Sequence, residues 1–177
     1  MLLHHTTEGT GPRLLLLHPV GLHGGFLAPI AERLSKRFTV MRIDLRGHGQ
    51  SALEPFAHSI DDFADDVHET LGQAGFGPCA VAGFSFGGMT AQALAIRHPD
   101  DVSALIALAG PCTQDEAKRP TIAARGTDAL AHGMQAVLEA TMQRWFTPGF
   151  MQSAEAQAAR TYVAQRDPRG WAQGWNA

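Results

Sequence analysis

Cysteine is scarce. The two present, Cys79 and Cys112, are too few for a disulfide framework, and their isolation gives no metal-ligand spacing. Both read as small buried residues. The chain has no block of Lys and Arg and no basic–aromatic interleaving, and its formal net charge of −3 argues against a nucleic-acid partner. No apolar run approaches the length needed to cross a bilayer, and residues 1–8 lack the charged start and long apolar core of a secretory leader. No membrane partner is expected, and a cytoplasmic location is the default. His4, His5, His23, His58 and His68 show no metal-ligand spacing, and the first two lie near a terminus expected to fray. Repeats and low-complexity linkers are absent as well. What is present, 45% hydrophobic and 18% charged residues over 177 positions, is enough for one domain with a well-buried core.

Four apolar runs read as buried strands: Leu14 to Val20, Phe38 to Leu45, Cys79 to Phe84 and Val102 to Leu108. They lack the in–out alternation of a half-exposed sheet. Helical spacing lies between them. Ile30 and Leu34 are four apart, with Pro29 tolerable in a first turn, and Phe63, Val67 and Leu71 repeat at four behind a capping box of Ser59 and Asp62. Gly87, Ala91 and Ala95 form a small-residue stripe ended by His98-Pro99. This alternation predicts an α/β fold, a mostly parallel sheet flanked by helices with right-handed crossovers. The pattern changes at Gly110-Pro111, dividing a core over 1–111 from a helical cap over 112–177. From Glu116 to Asp167 there are only helical stretches, broken by Pro120, Gly126, Gly133 and Pro148-Gly149. Met134, Val137, Leu138 and Met142 give that region an amphipathic face, either cap core or pocket wall.

Gly83-Phe84-Ser85-Phe86-Gly87-Gly88 is the segment that carries chemistry. A G-x-S-x-G string alone is weak, but a strand before it and a helix after it make a nucleophile elbow, with Ser85 exposed on a strained turn. The bland alternative is a Gly-rich turn that merely positions a helix. Acyl transfer by serine needs a nucleophile, an oxyanion hole, a base and an acid that orients the base. The run His18-Pro19-Val20-Gly21 follows the first apolar strand, so the backbone N–H groups of Val20 and Phe86 are the expected oxyanion donors, each worth about 3 kcal/mol. Pro19 has no N–H to give. No metal or cofactor is called for.

The base and acid are missing. They should follow the serine, and His98 closes the helix that starts there, about 20 Å away at 1.5 Å per residue. His132 lies in the cap with no strand to fix it, and Asp115 is a weak candidate acid. Asp44 and His48 precede the serine and read as parts of a tight Gly-punctuated loop, pinned by hydrogen bonds from Asp44 and Arg46.

Together with Asp44-Leu45-Arg46-Gly47-His48-Gly49-Gln50-Ser51, the His18 and Gly83 segments resemble the α/β-hydrolase fold family over nearly the whole chain. Within it, Gly133-Met134, Arg144-Trp145-Phe146-Thr147-Pro148 and Phe150 are similar to the 3-oxoadipate enol-lactonase branch. The resemblance implies that Ser85 is the nucleophile and that the cap supplies substrate contacts. On it, Arg144 would pair with a substrate carboxylate and Trp145 would line the pocket; the other reading has both simply packing the cap. It also implies that residues 1–177 are part of a longer polypeptide, because family members carry the acid and histidine on strands after the cap. Val102 to Leu108 should then be an exposed apolar edge, and Trp171 and Trp175 should lack packing surface. The expected function is hydrolysis of a small carboxylic ester or lactone through an acyl-serine; esterase and perhydrolase variants stay open, and the alternative is a non-catalytic hydrolase-like binding protein or inactive remnant.

Overall fold

The computed structural model describes residues 1–113 and 115–177. Its strands are β1 (His5–Glu8), β2 (Arg13–Leu17), β3 (Thr39–Ile43), β4 (Cys79–Phe84) and β5 (Val102–Leu108). They form one sheet in the order β1-β3-β2-β4-β5, parallel throughout except for β1, which runs antiparallel to β3. Three helices cover it: α1 (Ala28–Leu34), α2 (Ile60–Ala74) and α3 (Phe86–Arg97). Both faces of the central strands are buried, which explains the continuous apolar runs. Leu15, Leu17, Met41, Ile43 and Val81 pack under Phe63, Val67 and Leu94, while Leu14, Leu16 and Val40 meet Ala31 on the other side.

Several expectations need correction. Ile30 points outward at 52% exposure, and Ala31 supplies the buried contact of α1. Cys79 is buried as expected, with burial pushing its thiol up to about 11, but Cys112 is exposed. The N-terminus is tied down, because the Met1 amine lies 2.6 Å from both Asp66 and Glu69 and the next residues form β1. The Ser59–Asp62 capping box is present. β5 ends the sheet, with Leu105, Ile106 and Leu108 at 41%, 50% and 53% exposure, the apolar edge that was expected.

Beyond the sheet lie α4 (Arg119–His132), α5 (Met134–Trp145), α6 (Ala154–Ala164) and α7 (Pro168–Asn176). Met134, Val137, Leu138 and Met142 form their shared core with Val163 and Trp171, so the amphipathic face of α5 is core. Pro120 opens α4 rather than breaking it, in the first turn where a missing N–H costs nothing. Gly126 sits inside the helix because a Cβ there would come 3.0 Å from the Ala172 Cα of α7. Trp171 is fully buried, contrary to expectation, and its indole N–H donates to the Arg125 carbonyl at 2.9 Å. Among the described residues no helix is long and apolar enough to cross a membrane.

Candidate active site

Ser85 stands between the end of β4 and the start of α3 at φ 53° and ψ −113°, a conformation that ordinary side chains avoid. Two bonds hold it there. Its N–H donates to the Leu108 carbonyl of β5 at 2.7 Å, and its own carbonyl accepts from Met89 at 3.0 Å. Although Ser85 is the cap residue of α3, its hydroxyl does not cap the helix. The Oγ is left for a cavity of about 830 Å³ that opens above it.

Val20 and Phe86 line that cavity beside Ser85. Both residues are buried, at 3% and 4% exposure, yet among the described residues neither backbone N–H has a protein acceptor. Buried donors without partners are rare and are found where a ligand is to be bound. The Phe86 N–H also lies at the positive end of the α3 dipole.

Two buried histidines hold the backbone around Val20, a role that reading the sequence missed. The His18 Nε2 accepts from the Leu45 N–H at 2.9 Å while its Nδ1–H donates to the Pro19 carbonyl at 2.8 Å. The His48 Nε2 accepts from the Gly21 N–H at 3.1 Å while its Nδ1–H donates to the Arg46 carbonyl at 2.9 Å. These partners fix one neutral tautomer for each ring, so neither is free to act as a base. Only their positions beside glycine-punctuated loops hinted at this. The 44–51 loop is pinned as expected: Asp44 accepts from the N–H groups of Gly24 and Gln50 at 2.7 and 2.9 Å, and Arg46 pairs with Asp66.

Burial pushes the His18 imidazole down to about 4 and holds His48 well below its usual range. A pKa depressed on folding means that the unfolded chain binds the proton more readily. This stability is present above about pH 6.5 and is lost as pH falls through about 4. Urea midpoints are therefore expected to fall across that window, and His18→Gln should flatten the fall. A wild-type profile that stays level there would contradict the assignment.

The last helix closes over this loop. A Cβ on Gly174 would come 2.8 Å from the Val20 Cγ2, and one on Gly21 would run into the Trp171 ring, so α7 rests on the backbone at 20–21. Arg144 and Trp145, from the last turn of α5, line the same cavity as Ser85. Lys118, Arg125 and Trp175 line it too, although no spacing in the sequence linked them to the elbow. Among the described residues the lining contains no histidine. His132 is exposed at the end of α4, and His98 bonds Asp65 at 2.7 Å. Asp115 carries the one side-chain carboxylate among the described lining residues and lies 3.9 Å from Lys118; Ala177, the last residue of the sequence, lines the cavity as well.

Comparison with known proteins agrees with this fold. The model of a family described as alpha/beta hydrolase fold matches residues 12–163. A pimeloyl-[acyl-carrier protein] methyl ester esterase of Chromobacterium violaceum is 37% identical over 153 residues, which cover 85% of this chain and 58% of that protein. An (E)-2-((N-methylformamido)methylene)succinate hydrolase of Acinetobacter baylyi is 27% identical, with 98% of this chain and 65% of that one covered. Among solved structures, the enol-lactonase from Burkholderia xenovorans LB400 superposes with a TM-score of 0.89 at 28% identity, covering 99% of this chain and 69% of its own. The chain thus spans between 58% and 65% of the length of these two curated relatives.

Proposed function

Because the chain belongs to the alpha/beta hydrolase fold family, we propose that it carries the nucleophile and oxyanion hole of a serine hydrolase acting on a carboxylic ester or lactone. The Ser85 Oγ attacks the carbonyl carbon, and the carbonyl oxygen takes up negative charge between the N–H groups of Val20 and Phe86. Collapse of this intermediate breaks the C–O bond to the leaving oxygen and leaves an acyl-serine, which water then cleaves. No residue of this sequence is assigned as the base that receives the hydroxyl proton or as the acid that orients it. No cofactor enters these steps. Arg144 and Trp145 are assigned to substrate contact, and the esterase, lactonase and succinate-derivative hydrolase activities named for similar proteins support an ester or enol-lactone of modest size.

One observation carries this reading: an uncapped serine hydroxyl on a strained turn, flanked by two buried N–H groups with no acceptor. A fluorophosphonate probe followed by intact mass tests it on the protein from its natural source. One adduct at Ser85 is expected, absent from Ser85→Ala. A second reading, a non-catalytic binding protein of this fold, is favoured by the lack of any histidine in the described cavity lining. It predicts that Ser85 is no more reactive than an ordinary serine.

A further inference from the structure

Helices α6 and α7 grip one loop of the sheet layer, and that loop leads to Val20. Tyr162 lies in the last turn of α6, and Arg166 follows two residues after the helix ends. The Tyr162 hydroxyl accepts from the Gly49 N–H at 3.0 Å and from the Arg166 Nη1 at 3.2 Å, while the Arg166 Nη2 donates to the Gly47 carbonyl. The Arg166 guanidinium also lies over the Tyr162 ring at 5.4 Å. From α7, the buried Gln173 accepts from the Ala57 N–H at 2.5 Å, and a Cβ on Gly170 would run into the Gly47 carbonyl.

Arg166 stands apart from the other arginines that bond this loop or its neighbours. Arg42 faces Glu8 and Arg46 faces Asp66, whereas Arg166, half-buried, forms no ion pair among the described residues. Its charge-assisted bonds go to a backbone carbonyl and a phenol, so what it contributes is the placement of that backbone. The placement reaches the site in two steps. Gly47 and Gly49 flank His48 at φ 71° and 53°, a turn that Tyr162 and Arg166 hold from both sides. The His48 Nε2 then accepts from the Gly21 N–H at 3.1 Å, next to Val20.

We propose that Tyr162 and Arg166 are positioning residues: by clamping Gly47 and Gly49 they set His48, and through it the backbone at Val20 and Gly21, so that the site is assembled only when α6 and α7 are seated on the loop. The proposal rests on the serine-hydrolase reading for what the Val20 N–H stabilises, whereas the link from α6 to Gly21 stands on the hydrogen bonds alone.

Amide hydrogen exchange of the 177-residue chain, resolved by residue with NMR, reads that link without any reaction. The reporter is the Gly21 N–H, which is tied to His48 rather than to Tyr162 or Arg166. Tyr162→Phe removes the hydroxyl and keeps the ring; Gly21 should exchange about fivefold faster, as the loss of one hydrogen bond allows, with β3 amides unchanged. Arg166→Met should raise it about tenfold, and Arg166→Lys, which keeps a donor for the Gly47 carbonyl, should recover part. Arg160→Met is the control, on the same helix but bonded to Glu139, and should leave Gly21 unchanged. In the protein from its natural source, Tyr162→Phe and Arg166→Met should slow fluorophosphonate labelling of Ser85 by similar factors while the urea midpoint moves little, a split that a merely structural role would not give. Should Arg166→Met fail to fold, judged by circular dichroism, Tyr162→Phe and Arg166→Lys decide. Gly21 exchange that is unchanged in the folded variants, or that rises equally in β3, overturns the proposal. Faster Gly21 exchange with no adduct in the unsubstituted protein would sink the hydrolase reading alone; an adduct that forms at the same rate in the variants would sink this one alone.

Discussion

Gly87→Ala is expected to lower the unfolding free energy by about 3 kcal/mol, at or beyond the top of the range for overpacked cores. A Cβ at position 87 would meet the Leu17 carbonyl and come 2.7 Å from the His18 carbonyl oxygen. Both obstacles are backbone. β2, which ends at Leu17, is paired on each side, with β3 and β4, and no side chain can swing away to make room. Gly83→Ala meets the same difficulty from the other direction, against the Gly87 carbonyl and the Gly88 nitrogen at 2.6 Å. The strain also reaches the site, because any shift of Leu17 and His18 carries Val20 with it. Labelling of Ser85 by the fluorophosphonate should therefore fall together with stability. Gly72→Ala is the control: nothing lies within 4 Å of its Cβ, and a helix-interior Gly→Ala change should stabilise α2 by about 0.5–1 kcal/mol. Urea unfolding of the variants checks all three. A Gly87→Ala protein as stable as wild type would mean that the elbow glycine is not required by packing.

Legibility in the sequence followed burial. β4 and β5 were read with the bounds they have, because strands inside a parallel sheet are apolar without interruption and G-x-S-x-G marks where β4 stops. β1 was invisible for the opposite reason. His5-Thr6-Thr7-Glu8 is an edge strand with three of four residues exposed, and what makes it a strand is its register with β3, which no local pattern encodes. The fraying expected at Met1 failed on one long-range contact, with Asp66 sixty-five residues away. Ser85, Val20 and Phe86, the proposed nucleophile and oxyanion donors, were picked out by motif, since the proposed roles depend on backbone conformation that short strings specify. Arg125 was not, because its place beside Ser85 comes from α4 packing on α7 through Gly126 and Ala172. Trp171 was misjudged for a related reason: its burial comes from Met134, Leu138 and Met142, whose apolar face had two open interpretations until the helices were in place.

Asp66→Ala is expected to destabilise by about 3–5 kcal/mol, the cost of leaving a buried charge without its partner. Asp66 is 2% exposed on α2 and accepts from one edge of the Arg46 guanidinium, Nε and Nη2 each at 2.6 Å, together with the Met1 amine at 2.6 Å. Removing the carboxylate leaves the buried Arg46 guanidinium without its anion, while the Met1 amine keeps Glu69. Arg46 still bonds the Pro55 carbonyl at 2.6 Å, which would hold the guanidinium in place rather than let it escape. Replacing both partners with apolar residues, Arg46→Met with Asp66→Leu, should therefore cost less than the single change. The consequence extends to the site because Arg46 belongs to the loop whose carbonyl orients His48, and His48 holds the Gly21 N–H beside Val20. Loosening this chain should slow adduct formation at Ser85 more than an equally destabilising change on the far side of the sheet, such as Ala31→Gly under Leu14 and Val40. Equal labelling rates in the two variants at matched stability would show that the ion pair supports the fold without setting the geometry around Val20.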